Sequence, residues 1–254
     1  MISGVQLGIQ SYSFRDRALD SMIESIAEVG LTECELWQGH VEPSVDRESL
    51  RKWRLTVPIE VFRGVRRKFN DAKIHLHAYN YSFKADFTDE EIKRGFEMAK
   101  ALGVSKITAS STVPMGKRID PFAREAQIQV GMHNHSNISP GEFATPQSFL
   151  DAMAGNSKFI AINLDIGHFT GAGFDAVEFL KQQHERIVTL HIKDLKTHGP
   201  AVPFGEGDAP IKEVLKLLRD NHWNIPANIE FEYAGDPVLE VEKCFEYCKK
   251  ALTE

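Results

Sequence analysis

Cysteine is scarce in this chain: three in 254 residues, an odd number and too few for a disulfide framework. Cys244 and Cys248 form C-x-x-x-C rather than the C-x-x-C of a redox or zinc pair. Within VEKCFEYCKKAL that spacing puts both on one face of an expected helix, as ordinary thiols, and Cys34 stands alone. A reducing, cytoplasmic setting is the expectation. Long apolar runs are missing too. No stretch approaches the roughly 18 residues of a membrane span, so no membrane partner is expected. The opening MISGVQLGIQSYSF enters a strand-like alternation at once and lacks the basic, then apolar, then small-residue order of a secretory leader. Nor is there an excess of positive charge: Lys and Arg number 30 against 36 Asp and Glu, a net charge of −6. The one local basic cluster, Arg63, Arg66, Arg67 and Lys68, reads as the solvated face of a helix. A binder of phosphate backbones is disfavoured, and no nucleic-acid partner is expected.

What is present is a regular alternation. Apolar β-like runs occupy residues 5–11, 31–37, 73–79, 105–109, 127–135, 159–164, 187–192 and 227–231. Helical periodicity falls between them, at about 18–29, 59–70, 88–102, 121–126, 146–153, 176–183, 211–221 and 237–252, with Gly30 and Gly103 as C-terminal stops. Residues 38–57 read as a loop with a short charged helical piece. The helix before the fifth strand looks truncated, since only residues around 121–126 precede it. Strands alternating with helices predict a parallel sheet with crossover helices. Eight such units in about 250 residues predict one α/β domain, 1–254, a (β/α)8 TIM barrel with its chemistry at the C-terminal strand ends.

Four runs end on metal-ligand residue types: QIQVGMHNHS, FIAINLDIGH, IVTLHIKD and ANIEFEY. They place His133, Asp165, His191 and Glu230 at or near the ends of strands five to eight. Neighbouring strands are about 5 Å apart, so these side chains can converge on one ion. Two imidazoles with two carboxylates favour Mn²⁺, Co²⁺ or Zn²⁺, with Mg²⁺ admitted. Glu232 shares a face with Glu230 by alternation. Glu35, Trp37 and His40 lie at or after the end of strand two, and His77 and Tyr79 end strand three. Glu35, Trp37, His77, Tyr79, Asn134, His168 and Lys193 form the expected substrate-binding set, and Tyr12 and Phe14 are further candidate aromatic walls. FGEGD does not open a helix in the manner of a phosphate loop, and its two acids would repel phosphate.

The ordered set QSYSF, ELW, HNH, LDIGH, HIKD, FGEGDAPI and IEFEY resembles the xylose isomerase-like TIM-barrel superfamily. That group includes sugar isomerases and epimerases, inosose dehydratases and endonuclease IV-type enzymes. The resemblance implies Asp165, His191 and Glu230 as metal ligands and His168 as a histidine facing the substrate. It also marks a departure: where the epimerases carry a glutamate after strand five, this chain has His133. Glu142, nine residues on, is an acid that could restore a carboxylate there. The implied chemistry is metal-assisted proton abstraction next to a carbonyl, giving an enediolate. Glu230 is the expected base, with Lys193 and His168 holding substrate oxygens or supplying a proton. The leading expectation is an isomerase or epimerase acting on a small-molecule sugar or keto-sugar. A dehydratase of the inosose or dehydroshikimate type, acting on a cyclitol-like substrate, is the alternative. An endonuclease IV-like phosphodiester hydrolase is disfavoured, because HGPAVPFGEGD lacks that group's Asp-x-His, and a non-catalytic binding protein and a homo-oligomer stay open.

Overall fold

Eight short strands, every neighbour parallel, close into a barrel in strand order one to eight in the computed structural model, which describes residues 1–254. They are β1 (Leu7–Gln10), β2 (Glu33–Trp37), β3 (His75–Asn80), β4 (Lys106–Ala109), β5 (Gln129–His133), β6 (Ile160–Asp165), β7 (Ile187–Ile192) and β8 (Ala227–Ile229). The ring is closed by β8 on β1, with Leu7 opposite Ala227 and Ile9 opposite Ile229. The helices are α1 (Leu19–Val29), α2 (Arg47–Thr56), α3 (Glu60–Asp71), α4 (Asp89–Leu102), α5 (Met115–Ala126), α6 (Pro146–Met153), α7 (Ile166–Gly171), α8 (Ala176–Gln183), α9 (Ile211–Asp220) and α10 (Pro237–Thr253). This is the expected (β/α)8 architecture. No helix is long and apolar enough to cross a membrane. All three cysteines are buried and unpaired.

The strands read as continuous apolar runs because both of their faces are covered. All six residues of β6 and of β7 are buried. One face meets the helices and builds the main core, with Ile9, Leu36, Ile107, Val130, Met132, Ile162, Leu164 and Leu190 at or near zero exposure. Alternation turns the other face inward, and here it is polar. Gln10, Glu35, Thr108, Asn163, Thr189, His191 and Asn228 are all buried. Their hydrogen bonds cross the barrel instead of closing locally, which fixes the floor of the C-terminal mouth.

Three local expectations change. The truncated helix before β5 is a full α5, beginning at Met115 with Pro121 inside it. Proline removes one hydrogen bond and normally marks a boundary. Here Met115, Ile119 and Ala123, spaced by four, are buried on the same side and hold the helix across that gap. The charged piece after β2 is a full turn-rich helix, α2, held by an ion cluster and not by apolar periodicity: Arg47 and Arg51 each reach Glu91 at 2.8 Å, and buried Arg54 grips Glu42. Finally, α7 starts immediately after β6, capped by Asp165, whose Oδ1 accepts from the His168 backbone N–H at 2.7 Å.

Candidate active site

The register of the last four strands brings the ligand-type residues to one level. His133 closes β5, Asp165 closes β6 and pairs with His191 on β7, and Glu230 follows β8 directly. One donor atom from each lies within 4.8 Å of the others, and all four residues are buried. His133 Nε2 is 3.6 Å from Asp165 Oδ2, and His191 Nδ1 is 3.1 Å from Glu230 Oε2.

The decisive feature is what these atoms lack. Both ring nitrogens of His133 are buried without a hydrogen-bond partner, and Asp165 Oδ2, His191 Nδ1 and Glu230 Oε2 are buried with no hydrogen bond of good geometry, only ionic approaches to one another and to Lys193. Buried polar atoms are nearly always satisfied, and leaving one unpaired costs about 1–3 kcal/mol. Buried ligand atoms from four residues around one point fit a cation centre. The mixed nitrogen and oxygen set suits a borderline divalent ion.

Glu35 orients His191 from below. It is fully buried, and its Oε1 accepts from Gln10 Nε2 at 2.6 Å and Thr108 Oγ1 at 2.5 Å. Its Oε2 accepts from Asn228 Nδ2 at 3.3 Å, and the two oxygens lie 3.0 and 3.1 Å from His191 Nε2. A carboxylate only accepts, so Nε2 carries a proton toward Glu35, and Nδ1, 3.1 Å from Glu230, carries one that a cation at this point would displace. This is how an outer acid would orient a histidine that holds a metal. Burial works against a charged His191, but Glu35 and Glu230 outweigh it and raise its pKa well above the ordinary value.

Lys193 is the second hub. Its Nζ stands 2.8 Å from Glu232 Oε2, 2.9 Å from Glu230 Oε2, 3.2 Å from Asp165 Oδ2 and 3.1 Å from His168 Nε2. Burial disfavours its charge, but three carboxylates hold it protonated, with a pKa raised far above the usual lysine range. In return, Glu230 is held well below the carboxylate range: burial opposes its charge, and Lys193 and then His191 overcome that. His168 is pushed down to about 4, chiefly by burial, with Lys193 adding to the effect and Asp165 opposing it. Since its Nε2 faces an ammonium, its proton sits on Nδ1, which has no partner in the protein.

Above these residues lies a cavity of about 190 Å³ lined by His133, His168, His191, Lys193, Glu230 and Glu232, with Gln10, Tyr12, Trp37, Asn80, Ser82, Ser110 and His135 as the remaining wall. Trp37 and Tyr12 meet edge to face, with centroids 5.0 Å apart. Four residues of the expected substrate set are placed elsewhere. Glu35 lies beneath His191. Asn134 is consumed between strand ends, donating to Asp165 O and accepting from Asp165 N, both at 3.0 Å. Tyr79 turns toward the helices, where it meets Phe62 and stacks on Tyr81. His77 falls at a register shift between β2 and β3, and burial together with Lys106 and His75 pushes its pKa down to about 3. The bulge explains both: alternation counted from the strand's apparent end assigns the wrong face once a residue is inserted. His40 is likewise occupied, its ring nitrogens lying 3.2 and 2.9 Å from Arg17 O and Ser11 O.

Gln10, Asn80, Ser82, Ser110 and His135 line the cavity and were not foreseen. His135 was visible as the second histidine of HNH. Asn80 stands one residue beyond the expected end of strand three, where a polar residue closing an apolar run was the available signal.

Residues 23–251 match the sequence profile of the family described as xylose isomerase-like TIM barrel. A stretch of 130 residues is 29% identical to the uncharacterized protein MJ1311 of Methanocaldococcus jannaschii, covering 50% of this chain and 44% of that relative. The chain thus spans less than half the length of this curated relative. Among solved structures, the probable 3-DHS dehydratase AsbF of Bacillus anthracis superposes with a TM-score of 0.72 at 17% identity, over 98% of this chain and 99% of that one. The 3-keto-D-glucoside 4-epimerase YcjR of E. coli gives 0.73 at 14% identity, over 97% and 99%. At these identities the likeness is one of fold.

Proposed function

The chain belongs to the xylose isomerase-like TIM-barrel family, and on that premise we propose that it is a divalent-metal-dependent enzyme that isomerises or epimerises a sugar or keto-sugar by removing a proton next to its carbonyl. The observation that carries this reading is the convergence of buried ligand atoms from His133, Asp165, His191 and Glu230 on one point, with both His133 nitrogens unpartnered, under a small hydroxyl- and amide-lined cavity. Those four residues would hold the ion, with Mn²⁺, Co²⁺ or Zn²⁺ favoured and Mg²⁺ admitted. When bound, the cation supplies Lewis-acid polarisation of a carbonyl.

The remaining work belongs to the chain's own groups. Glu230, through the carboxylate oxygen that does not face the cation centre, takes the proton from the carbon beside the carbonyl; the C–H electron pair forms a new C=C bond and the carbonyl π pair moves onto its oxygen to give the enediolate. Lys193 keeps Glu230 ionised and places positive charge beside the developing oxyanion. His168 Nδ1–H donates to a substrate oxygen. Trp37 and Tyr12 wall the sugar and exclude water. Passing the proton of the adjacent hydroxyl to the former carbonyl oxygen, and returning the carbon-bound proton to the former carbonyl carbon as the new C=O forms, completes an isomerisation.

A dehydratase is the second reading, favoured by one observation: the end of β5 carries His133 in place of an acid, and loss of an α-proton with a β-hydroxyl needs only one carboxylate base. Metal content of the purified protein, followed by incubation of the loaded protein with ketoses and keto-inositols in D₂O, tests both. Deuterium at the α-carbon without loss of water is expected. Loss of water mass would select the dehydratase, and absence of exchange across the panel in a metal-loaded protein would overturn the mechanism.

A further inference from the structure

We propose that this site selects uncharged polyhydroxy carbonyl compounds of monosaccharide size and rejects their phosphorylated and carboxylated counterparts. The inference rests on the reading of the cavity as a sugar-type proton-transfer site.

Charge comes first. Lys193 is the sole Lys or Arg on the cavity lining, and its ammonium is already shared among Asp165, Glu230 and Glu232. Three carboxylates face that single ammonium and a fourth, Glu35, lies behind His191, so a bound divalent ion would leave no positive charge over. A phosphate or carboxylate on the substrate would then lie against Glu232 with nothing to pair it, and like-charge contacts of this kind are strongly penalised. Recognition of anionic groups ordinarily uses an arginine fork or a lysine held free for the purpose. Arg15 and Lys84 hydrogen-bond to the backbone of Tyr12 and Ser110 from outside the lining. Arg15 donates to Tyr12 O and Phe231 O at 3.3 and 3.2 Å and covers the Tyr12 ring. Lys84 donates to Ser110 O at 3.0 Å.

The neutral wall points the same way. Asn80 spends Nδ2 on Thr108 Oγ1 at 3.0 Å, so its free group is Oδ1, an acceptor. Gln10 spends Nε2 on Glu35 and its Oε1 on the Tyr12 N–H. Ser82 Oγ accepts from Ser110 N at 3.2 Å, which leaves its hydroxyl proton to donate. Acceptors and hydroxyls suit sugar hydroxyls, which both donate and accept; a phosphate dianion can only accept. Size sets the other bound. A volume of about 190 Å³ lies below the roughly 300–1,000 Å³ of drug-sized pockets, so one small ring fits and an oligosaccharide does not.

The test uses the intact, metal-loaded protein with D-fructose, its phosphate monoester, scyllo-inosose and dehydroshikimate. Binding is followed by calorimetry, and exchange of the α-proton by NMR in D₂O. The expected result is binding and exchange with D-fructose or the inosose, with both anions weaker by about tenfold or more. Equal or tighter binding and exchange with either anion would overturn the inference while leaving the proton-transfer reading standing. Failure of exchange with all four would remove that reading and the inference with it.

Discussion

Glu35 should matter to the metal although it cannot touch it. Replacing it by glutamine preserves size but turns one acceptor oxygen into an NH₂ group. The pocket around it offers donors at Gln10 Nε2, Asn228 Nδ2 and His191 Nε2, and a Thr108 hydroxyl that both donates and accepts, so an NH₂ on either side meets the amide of Gln10 or of Asn228. Whichever way the new amide turns, it sets a donor against a donor. If the clash falls on His191, Nε2 gives up its proton and the remaining one is held on Nδ1 against Glu230, where a cation would have to displace it. Loss of an outer partner of this kind lowers metal affinity by about 10- to 100-fold, or about 1.4–2.8 kcal/mol. The assay is competition with a chromogenic chelator, with circular dichroism and a thermal midpoint confirming that E35Q is folded. Glu35→Asp keeps the charge at a retracted position and should fall between the two. His191→Ala, which removes the ligand itself, sets the lower limit. A folded E35Q whose metal Kd stays within about twofold of the original would refute the positioning argument.

Three further outcomes follow from buried charges and close packing. Burial raises the Glu33 carboxyl from 4.5 to about 7, with Lys106 opposing. A raised carboxyl is harder to ionise in the fold, so its contribution is best at low pH, and up to about 3 kcal/mol is lost as pH climbs from 4.5 through 7. Glu33→Gln should therefore be more stable than the parent near pH 8 and equal to it near pH 4, by urea denaturation; a pH-independent difference would contradict this. Glu91, with no exposed surface, binds Arg47 and Arg51 at 2.8 Å and lies 3.6 Å from Arg54. These pairs outweigh burial and hold its carboxyl down at about 2, so its contribution is complete above 4.5 and lost as pH falls through 2. Glu91→Gln should cost roughly 3–5 kcal/mol in a thermal or chemical melt, and a loss below about 1 would show the cluster to be ornamental. At Gly167 an added Cβ would lie 2.6 Å from Lys193 O and 2.9 Å from Lys193 Cβ. Gly167→Ala should displace α7 from β7 and lower turnover by roughly a hundredfold with the fold retained, and unchanged turnover would show that this contact does not position Lys193.

The barrel was legible because two periods alternate without interruption, and because each strand that mattered ended on a ligand-type residue. His133, Asp165, His191 and Glu230 needed only that pattern. What was hidden depended on facts that no local period carries. The bulge at His77 shifted the face of everything counted from it, so Tyr79 went to the helix layer while Asn80 reached the mouth. Glu35 lay on the correct inward face, yet its depth is set by which partners cross the barrel, and those come from β1, β4, β7 and β8. Asn134 looked like part of a ligand triplet, whereas its amide copies a backbone ladder between strand ends. In each case the residue type was informative and its address was tertiary. The helix α2 was obscure for a different reason: its stability comes from arginine–glutamate pairs made with α4 and the loop after β2, which hydrophobic periodicity does not register.

Epimerisation at one carbon takes a proton from one face and returns it to the other, so it needs a carrier on each side. Here the carboxylates that line the cavity, Glu230 and Glu232, come from one segment and meet the same ammonium at 2.9 and 2.8 Å. Two acids tied to one lysine cannot flank a sugar. Glu142 does not supply the missing partner, because it bridges to Thr112 and lines a separate cavity. His133 holds the opposite position but offers its nitrogens to the cation cluster. On the proposed reading, one-face chemistry, aldose–ketose isomerisation or elimination, is therefore what the unaltered site should perform better than epimerisation. Placing an acid at that position should change the outcome. His133→Glu is expected to keep metal binding, shifted toward Mn²⁺ by the added oxygen ligand, and to gain an epimer of the substrate at unchanged mass, read by NMR. A positioned general base contributes about 10²–10⁴-fold, so the new product should rise from background by that order. The reasoning would be refuted by an unaltered protein that already epimerises as fast as it isomerises, or by a metal-loaded variant that forms no epimer at all.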